Sequence, residues 1–324
     1  MSARVSIVIP SWNRRALVVE CLGSLSSQTF RDFAAIVVDD GSTDDTVEIL
    51  SRDFPEMRVV RLPDNRGFAA AANAGMRAAD APLVFLLNND MTLAPDCLER
   101  LVQRAEQSDA AMFAPLMLFR DRPDVIYSAG DGQLACGRPV SIGHGCDASG
   151  FRHPDRIFGV SAGAALYRRE LLDRIGSFDE RFGAYFEDSD LNFRARLAGF
   201  AAEVVRDAAA YHVGSASLEG RHVWRARQCC RNHALLVVKN MPAGLLVRHA
   251  REIIAERFHQ NRRVWSVARA ENGAWHALAA LLGTWFSTAR QIPHALAERR
   301  RIQRMRTLDT AELAALLWTR DEQG

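Results

Sequence analysis

The sequence has 324 residues, enough for one large domain or two modest ones. Hydrophobic residues make up 48% and charged residues 25%, which argues against a disordered or fibrous chain. The net charge of +2 hides a division, because residues 221–324 carry 18 Lys and Arg against 8 Asp and Glu, whereas residues 1–220 carry 23 against 31. This division predicts an acidic part suited to a cation and a basic part suited to an anionic surface.

The first 120 residues alternate between short apolar strands and helical patterns. Strands are predicted at Val5–Pro10, Phe33–Asp39, Met57–Arg61 and Leu83–Leu87. Helices are predicted at Ala16–Leu25, after an N-cap at Ser42 or Thr43, at Phe68–Ala79, and with Pro95 in the first turn of the next helix. Repeated βα units of this length indicate an α/β fold with a mostly parallel central sheet and flanking helices.

The rest of the chain is less regular until its C-terminal part. Residues 121–156 are rich in Gly, Asp and Pro, which predicts loops and short antiparallel strands. Further predicted elements are two short helices, Leu171–Ile175 closed by Gly176 and Asp188–Leu197 closed by Gly199, and a strand, Ala202–Arg206. After Gly220 the pattern predicts long, arginine-rich helices.

Polar side chains cluster where the predicted strands end. The clusters are Ser11-Trp12-Asn13, Asp39-Asp40 and Asn88-Asn89-Asp90. Ligands of parallel α/β sheets bind at the carboxyl ends of the strands, so all three are candidate binding segments. A carboxylate such as Asp90 at the open end of a buried strand can coordinate Mg²⁺ or Mn²⁺. A polar triplet in this position is more often only a turn.

Two later segments carry further candidate groups. Glu187-Asp188-Ser189-Asp190 opens a predicted helix, where carboxylates commonly act as N-terminal caps but where one could also serve as a general base. His212 follows the predicted strand Ala202–Arg206 among small apolar residues. A histidine in such surroundings is more often structural, although its imidazole could complete a metal site.

Taken in order, six segments of the chain resemble the family 2 glycosyltransferases. They are VSIVIPSWNR, IVVDDGSTDDT, NRGFAAAANAG, FLLNNDM, GSFDERFGAYFEDSDLNFRARLAG and YHVG. The resemblance spans residues 5–213, and within the family it is greatest to the bacterial branch that contains rhamnosyltransferases of surface-polysaccharide assembly. It implies a GT-A catalytic domain over residues 1–220, with a nucleotide-sugar half of about 1–120 and an acceptor half of about 121–220. Residues 221–324 would then form a basic helical extension.

The resemblance also implies roles for individual residues. The nucleotide-sugar site would comprise Pro10, Ser11, Asn13, Asp39, Asp40, Gly41, Arg66, Asn88 and Asn89. Asp39 would recognise a pyrimidine ring, and Asp90, with His212, would hold the divalent metal. Asp188 would be the catalytic base and Glu187 its neighbour in a single displacement that inverts the anomeric carbon. This assignment requires Asp90 and Asp188 to flank one sugar.

The chain departs from the family at the first metal-binding acid, which is Asn88 here. One fewer negative charge predicts weaker metal binding and leaves the choice between Mg²⁺ and Mn²⁺ open. The resemblance implies dTDP-rhamnose or a UDP-hexose as donor, and a lipid-linked or polysaccharide acceptor in cell-surface glycan synthesis.

The basic C-terminal part has two possible interpretations. Residues 273–289 contain no Asp, Glu, Lys or Arg, but these 17 residues fall short of the roughly 20 apolar residues that a spanning helix needs. An interfacial anchor on an anionic membrane would place Trp265, Trp275 and Trp285 at headgroup depth. The alternative is a helical subdomain that packs against the catalytic domain and exposes a charged face.

Six cysteines show neither a C-x-x-C motif nor a zinc pattern, which predicts buried free thiols. The N-terminus lacks the pattern of a secretory signal. Together these features predict a protein of the reducing cytoplasm. With the anchor interpretation of the basic part and a lipid-linked acceptor, the protein would be peripheral on the inner face of the cell membrane.

Other functions fit the sequence less well. A dinucleotide-dependent oxidoreductase needs G-x-G-x-x-G after the first strand, and Ser11-Trp12-Asn13-Arg14-Arg15 does not supply it. The basic extension has no recognised nucleic-acid-binding module, so no nucleic-acid partner is expected. A degenerate family member that acts as a nucleotide-sugar-binding scaffold is the remaining alternative, and Asn88 is its only support.

Overall fold

The computed structural model describes residues 3–214 and 220–318, so the last six residues of the predicted extension, 319–324, lie outside the described part. The chain forms two compact units. Unit 1 comprises Met1–Asp131, Ser141–Gly183 and Phe200–Gly214, and unit 2 comprises Gly132–Val140, Ala184–Gly199 and Ser215–Gly324. These units are not the predicted domains, because unit 2 contains Ala184–Gly199 together with the C-terminal helices. The predicted boundary at residue 220 therefore stays a prediction.

The secondary structure follows the predicted order. The strands are β1 (Val5–Ser11), β2 (Phe33–Asp39), β3 (Arg58–Arg61), β4 (Leu83–Leu87), β5 (Met91–Leu93), β6 (Met112–Phe119), β7 (Ile126–Ser128), β8 (Asp131–Gln133), β9 (Pro139–Ser141), β10 (Ala164–Arg168) and β11 (Ala202–His212). The helices are α1 (Arg15–Ser26), α2 (Thr46–Asp53), α3 (Phe68–Ala78), α4 (Cys97–Gln107), α5 (Arg169–Ile175), α6 (Glu187–Leu197), α7 (His222–Asn240), α8 (Ala243–Arg248), α9 (Ala250–Met305) and α10 (Thr310–Ala314).

Unit 1 is built on one large sheet with the strand order β3-β2-β1-β4-β10-β6-β11-β5, and β7 pairs with β6. Strands β3, β2, β1 and β4 are all parallel. β10 runs antiparallel to both β4 and β6, while β11 is parallel to β6 and antiparallel to β5. The predicted α/β class with a mostly parallel central sheet is therefore confirmed, and the four parallel strands β3, β2, β1 and β4 form one side of that sheet.

The core of unit 1 explains why its strands read as continuous apolar runs. All seven residues of β1 are buried, as expected for a strand covered by helices on both faces. The alanine-rich helix α3 lies very close to the sheet, because a Cβ at Gly75 would come within 2.2 Å of Val8 Cγ1. Small side chains on this helix are thus a requirement of close packing.

Several predicted boundaries are wrong. Helix α2 begins at Thr46 after the N-cap Asp45, so neither Ser42 nor Thr43 caps it. Helix α4 begins at Cys97, and Pro95 therefore lies before its first turn. Strand β11 continues to His212, which ends the strand instead of following it.

Unit 2 consists of α6 to α10 and the small β8–β9 hairpin. Helix α9 is interrupted at Gly273, whose φ of 83° and ψ of 178° are not helical. Over residues 3–214 and 220–318, no helix combines the length and apolar character needed to cross a membrane. The six cysteines are all free thiols; Cys146 is exposed, Cys229 is half-buried and the other four are buried.

Candidate active site

The carboxyl ends of β1, β2 and β4 bring three of the predicted segments of unit 1 together. Ser11 lies opposite Asp39 in the parallel register of β1 and β2. The side-chain amide of Asn89, just after β4, donates a hydrogen bond to Ser11 Oγ at 3.1 Å. Pro10 precedes Ser11 inside β1 and pairs with Val38. These residues therefore share one edge of the sheet, as the sequence predicts.

Asp39 is fully buried at this edge. Its Oδ1 accepts a hydrogen bond from the backbone N–H of Ser42 at 3.2 Å. Its Oδ2 accepts none within the described residues and lies 3.5 Å from Nε of Arg61, which is itself largely exposed. One oxygen of Asp39 is thus available to a hydrogen-bond donor of a ligand.

Both carboxylate oxygens of Asp40 accept hydrogen bonds, unlike those of Asp39. The donors are the backbone N–H groups of Arg66 and Gly67, each at 2.8 Å. Burial raises the pKa of Asp40, and these two hydrogen bonds act against that rise. Asp40 therefore fixes the turn that carries Arg66, whose guanidinium lies 3.4 Å from Glu180 Oε2.

Gly41 is required by the shape of the same loop. Its φ is +71°, and a Cβ there would lie only 2.7 Å from the backbone carbon of Asp64. A larger residue would meet both a left-handed backbone and a backbone clash. Gly41 therefore lets two loops approach each other closely at the end of β2.

The loop after β1 also has an unusual backbone. Asn13 and Arg14 adopt positive φ angles of 55° and 62°. The backbone N–H of Asn13 donates to Ser42 Oγ at 2.7 Å, and Asn13 Oδ1 accepts from the backbone N–H of Thr43 at 2.9 Å. Asn13 thus ties the β1 loop to the β2 loop with its own side chain and backbone.

The predicted metal residues of unit 1 also lie together. The antiparallel register pairs His212 of β11 with Met91 of β5, and His212 Nε2 lies 3.4 Å from Asp90 Oδ1. His212 Nδ1 accepts the backbone N–H of Gly214 at 2.9 Å, so in the neutral ring Nε2 carries the hydrogen and faces Asp90. In this arrangement His212 is a partner of Asp90, and to bind a metal through Nε2 it would have to release that hydrogen.

Two buried oxygens decide whether a cation fits this site. Asn88 Oδ1 and Asp90 Oδ1 are both buried and accept no hydrogen bond from the described residues, since the 3.4 Å approach of His212 Nε2 to Asp90 Oδ1 is an electrostatic contact and not a hydrogen bond. Carboxylate and amide oxygens of this kind are what Mg²⁺ and Mn²⁺ prefer. Within residues 3–214 and 220–318 no group of three or more His, Cys, Asp or Glu side chains is arranged for a metal. The residues fit a cation that takes only a few protein ligands.

The predicted base lies in unit 2, at the start of α6. Tyr185 and Phe186, which precede it, have φ angles of 67° and 71°, a costly conformation for aromatic residues. Asn232 of α7 donates its side-chain amide to the carbonyl oxygens of Ala184 and Tyr185, at 3.0 and 2.7 Å. Asn232 therefore holds the segment from which Asp188 projects, a role that the sequence analysis missed.

The two acids of this segment differ in environment. Glu187 is buried, and its Oε2 accepts no hydrogen bond within the described parts of the chain. Burial first, and the charge of Asp188 second, raise the pKa of Glu187 well above its ordinary value. Asp188 is less buried, and its Oδ1 accepts from the backbone N–H of Ser189 at 2.7 Å. The surroundings thus favour a neutral Glu187 beside Asp188.

The third acid of the helix start is structural. Asp190 Oδ2 accepts hydrogen bonds from Arg194 Nε at 2.9 Å and Lys239 Nζ at 3.0 Å, while Oδ1 accepts from the side chain of Asn240 at 2.8 Å. Both cations are almost completely buried. Lys239 is the only lysine in the sequence, a signal that could have marked it as a special position.

A groove of about 560 Å³ elsewhere in unit 1 is not this site. It lies between α4 and the first half of β11, and residues such as Arg100, Arg104 and Glu203 line it. None of the predicted site residues borders it. The predicted site residues of unit 1 therefore lie at its strand ends, and those of unit 2 lie at the start of α6.

Comparisons with known proteins show what the chain is similar to. The family model described as Glycosyl transferase family 2 matches residues 6–176. An uncharacterized glycosyltransferase of Haemophilus influenzae is 36% identical over 104 residues, which cover 32% of this chain and 35% of that protein. The O-antigen biosynthesis protein RfbC of Myxococcus xanthus is 27% identical over 228 residues, which cover 66% of this chain and 18% of that protein.

A solved structure extends the likeness to nearly the whole chain. The mannosyltransferase PcManGT from Pyrobaculum calidifontis, in complex with GDP-Man and Mn²⁺, aligns with a TM-score of 0.55 at 18% identity. The alignment covers 94% of this chain and 86% of that one. At this identity the likeness shows the fold alone, and the fold is of the GT-A type.

Proposed function

Because the chain belongs to glycosyl transferase family 2, we propose that it transfers a sugar from a nucleotide diphosphate sugar to an acceptor hydroxyl, with inversion at the anomeric carbon. The observation that carries this proposal is the pair of buried oxygens after β4, Asn88 Oδ1 and Asp90 Oδ1, which accept no hydrogen bond within the described residues. Leaving buried acceptors unsatisfied is costly. A cation with the diphosphate of a donor would satisfy them.

The donor nucleotide is assigned to the strand ends of unit 1. The buried Asp39 can accept a hydrogen bond from the ring N–H of a pyrimidine through the Oδ2 that the described chain leaves without a donor. Ser11 and Asn89, already joined to each other, lie at the same edge. This chemistry favours a dTDP or UDP sugar, and the rhamnosyltransferase-like motifs favour dTDP-rhamnose over a UDP-hexose.

The metal is assigned to Asp90, with His212 as a second ligand. When bound, Mg²⁺ or Mn²⁺ would supply positive charge opposite the diphosphate leaving group. The protein's own contribution is to hold the Asp90 carboxylate at a fixed place, through the β5–β11 pairing and through the bond from the Val213 N–H to the Asp90 carbonyl at 3.2 Å. The complex of PcManGT with GDP-Man and Mn²⁺ supports a metal-dependent donor site for this fold.

The base is assigned to Asp188. It would take the proton of the acceptor hydroxyl as that oxygen bonds to the anomeric carbon, while the bond to the diphosphate oxygen breaks and its electron pair leaves with the nucleotide. The raised pKa of Glu187 favours its neutral form. A neutral Glu187 would place no second negative charge beside Asp188.

The acceptor is assigned from the similarity of the chain to RfbC. RfbC takes part in O-antigen biosynthesis by its name, which supports a lipid-linked or polysaccharide acceptor in cell-surface glycan synthesis. Such acceptors are held at a membrane, so we place the protein on the cytoplasmic face of the cell membrane.

The experiment that tests the proposal pairs a donor screen with a variant of the base. The wild type, incubated with Mn²⁺ and a panel of dTDP and UDP sugars, should hydrolyse or transfer one of them. Asp188→Asn should lower that rate by about 10² to 10⁴-fold, because the proton acceptor is lost. Nucleotide affinity, measured by calorimetry, should not change.

The matched control is Glu170→Gln, which neutralises an exposed acid on α5. Near-normal turnover by the Asp188 variant would refute the assignment of the base. A wild type that binds a nucleotide sugar tightly but turns over none in the panel would favour the alternative, a nucleotide-sugar-binding scaffold.

A further inference from the structure

Helix α9 is a hairpin of two arms that turn at Gly273. Trp285 Nε1 donates a hydrogen bond to Asn261 Oδ1 at 3.0 Å. These residues are 24 positions apart, which would separate them by about 36 Å along a straight helix. Each lies 12 positions from Gly273, the non-helical residue. Arm 1, residues 250–272, and arm 2, residues 274–305, therefore lie side by side and antiparallel.

The inner face of the hairpin is packed with small residues. Val264 and Ala268 of arm 1 and Ala277 and Ala280 of arm 2 form a buried cluster with α7. Trp265 packs against this cluster and is only half-exposed. Trp265 therefore offers less exposed surface than Trp275 or Trp285, and its place at headgroup depth stays a prediction.

The outer face of arm 2 is apolar and exposed. This face, here called the arm-2 stripe, comprises Trp275, Leu278, Leu282, Trp285, Phe286 and Leu296. Trp275 is 83% exposed and Phe286 is 66% exposed. Successive members of the stripe are three, four, three, one and ten positions apart. At about 100° per residue these separations keep all six side chains on one side of the helix, over about 31 Å of its length. Exposed apolar surface of this extent marks an interaction site.

Arginines surround the arm-2 stripe. Helix α9 contains ten arginines against four glutamates, and one of the glutamates, Glu256, is buried. Exposed arginines flank the stripe near its tip at Arg269, beside Phe286 at Arg290, and beyond Leu296 at Arg300 and Arg304. Tryptophan and arginine beside an uncharged apolar face are the composition of helices that lie in the interface of an anionic bilayer.

A second copy of the chain is a poorer occupant. A symmetric interface places the same surface patch of two copies against itself. The arginines around the arm-2 stripe would then face arginines, and like charges across an interface oppose association. Anionic lipid headgroups instead complement these arginines, and the acyl chains accept the leucines and phenylalanine.

We propose that the arm-2 stripe is a docking surface for an anionic lipid bilayer, on which the hairpin lies without crossing it. The surface is independent of the transfer reaction, because it uses no residue of the candidate active site. Binding can be measured without a donor sugar, so its failure would leave the proposed transferase activity standing.

The experiment is flotation of the full chain with vesicles of phosphatidylcholine, with and without phosphatidylglycerol. The wild type should float only with phosphatidylglycerol, and less as salt is added, because salt screens the arginines. The double variant Trp275→Ser/Phe286→Ser should bind at least tenfold more weakly. The matched control is Phe258→Ser, which removes an equally exposed phenylalanine (67%) from arm 1 and should bind like the wild type.

Three outcomes would overturn the proposal. The wild type could stay unbound at low salt, or Phe258→Ser could weaken binding as much as the double variant does. Analytical ultracentrifugation could instead show a dimer that only the double variant dissociates, which would make the arm-2 stripe a contact between copies. Because the substituted side chains are exposed, the unfolding temperature should not change. Its measurement checks that each variant is folded.

Discussion

Two turns of the molecule share one backbone conformation but are held in different ways. Asn13 and Arg14, after β1 in unit 1, and Tyr185 and Phe186, before α6 in unit 2, are the non-glycine residues with positive φ within the described chain. Each pair adjoins residues of the candidate active site. Backbone strain of about 1–3 kcal/mol per residue persists only where surrounding structure enforces it.

The unit 1 turn contains a residue that is suited to its conformation. Asparagine tolerates the left-handed region better than other residues, and Asn13 adds hydrogen bonds to the neighbouring loop. The unit 2 turn contains two aromatic residues that resist this conformation, and helix α7 holds it from far along the sequence through Asn232. Lys239 of the same helix binds Asp190 in α6, the helix that follows the turn. Tertiary hydrogen bonds thus hold both turns, but the unit 1 turn contains an asparagine that tolerates its conformation, whereas the unit 2 turn imposes it on two aromatic residues that resist it.

The largest expected effect concerns Lys239, which holds α6 against α7. Lys239→Met keeps the length of the side chain but leaves the buried Asp190 with one cation fewer. We expect the free energy of unfolding to fall by about 3 kcal/mol, the lower end of the cost of removing one partner of a buried ion pair, because Arg194 still compensates part of the charge of Asp190. Urea titration followed by circular dichroism measures this change.

The control is Arg301→Met, which breaks an exposed pair with Glu298. Exposed pairs contribute only about 0–1 kcal/mol, so this variant should unfold nearly like the wild type. Equal losses in the two variants would show that α7 does not hold α6 through Lys239.

A smaller effect, on the rate rather than on folding, is expected at Asn232. Asn232→Ala removes both hydrogen bonds that fix the carbonyls before Phe186. We expect kcat to fall by about 10 to 100-fold with little change in KM or in nucleotide affinity, because a small misplacement of the base is costly. Steady-state kinetics and calorimetry separate these quantities.

Asn272→Ala, at an exposed position of α9, serves as the control and should retain full activity. If Asn232→Ala instead lowers only stability and leaves kcat unchanged, Asn232 is structural and does not position Asp188.

The same contrast explains what the sequence predicts. The α/β class, the parallel strands and the grouping of Ser11, Asp39 and Asn89 follow from apolar runs that end in polar residues, which are local patterns. The cap of α2 was wrong because Ser42 instead accepts a hydrogen bond from Asn13, a partner 29 positions away.

The candidate site of unit 2 was less predictable for the same reason. The segment around Asp188 was recognised as a motif, but nothing local distinguishes Asp190, bound to Lys239, from Asp188. The left-handed Tyr185 and Phe186 contradict their own conformational preferences, so propensity could not reveal them. The single lysine, Lys239, was the one sequence feature that could have indicated the ion pair with Asp190.

The smallest expected effect tests what the left-handed backbone at residue 13 of the unit 1 turn costs in stability. Asn13→Gly loses the bond to Thr43 but adopts φ of 55° without strain, whereas Asn13→Ala loses the same bond and must also bear the left-handed backbone. We expect the alanine variant to unfold about 1 kcal/mol more easily than the glycine variant, since that is the cost of this conformation for a residue with a Cβ. Thermal unfolding of the two variants measures this difference in stability. The lost hydrogen bond does not contribute to it, because both variants lack that bond. Identical stabilities would mean that the turn is held by its surroundings, as in unit 2, and the distinction between the two turns would be lost.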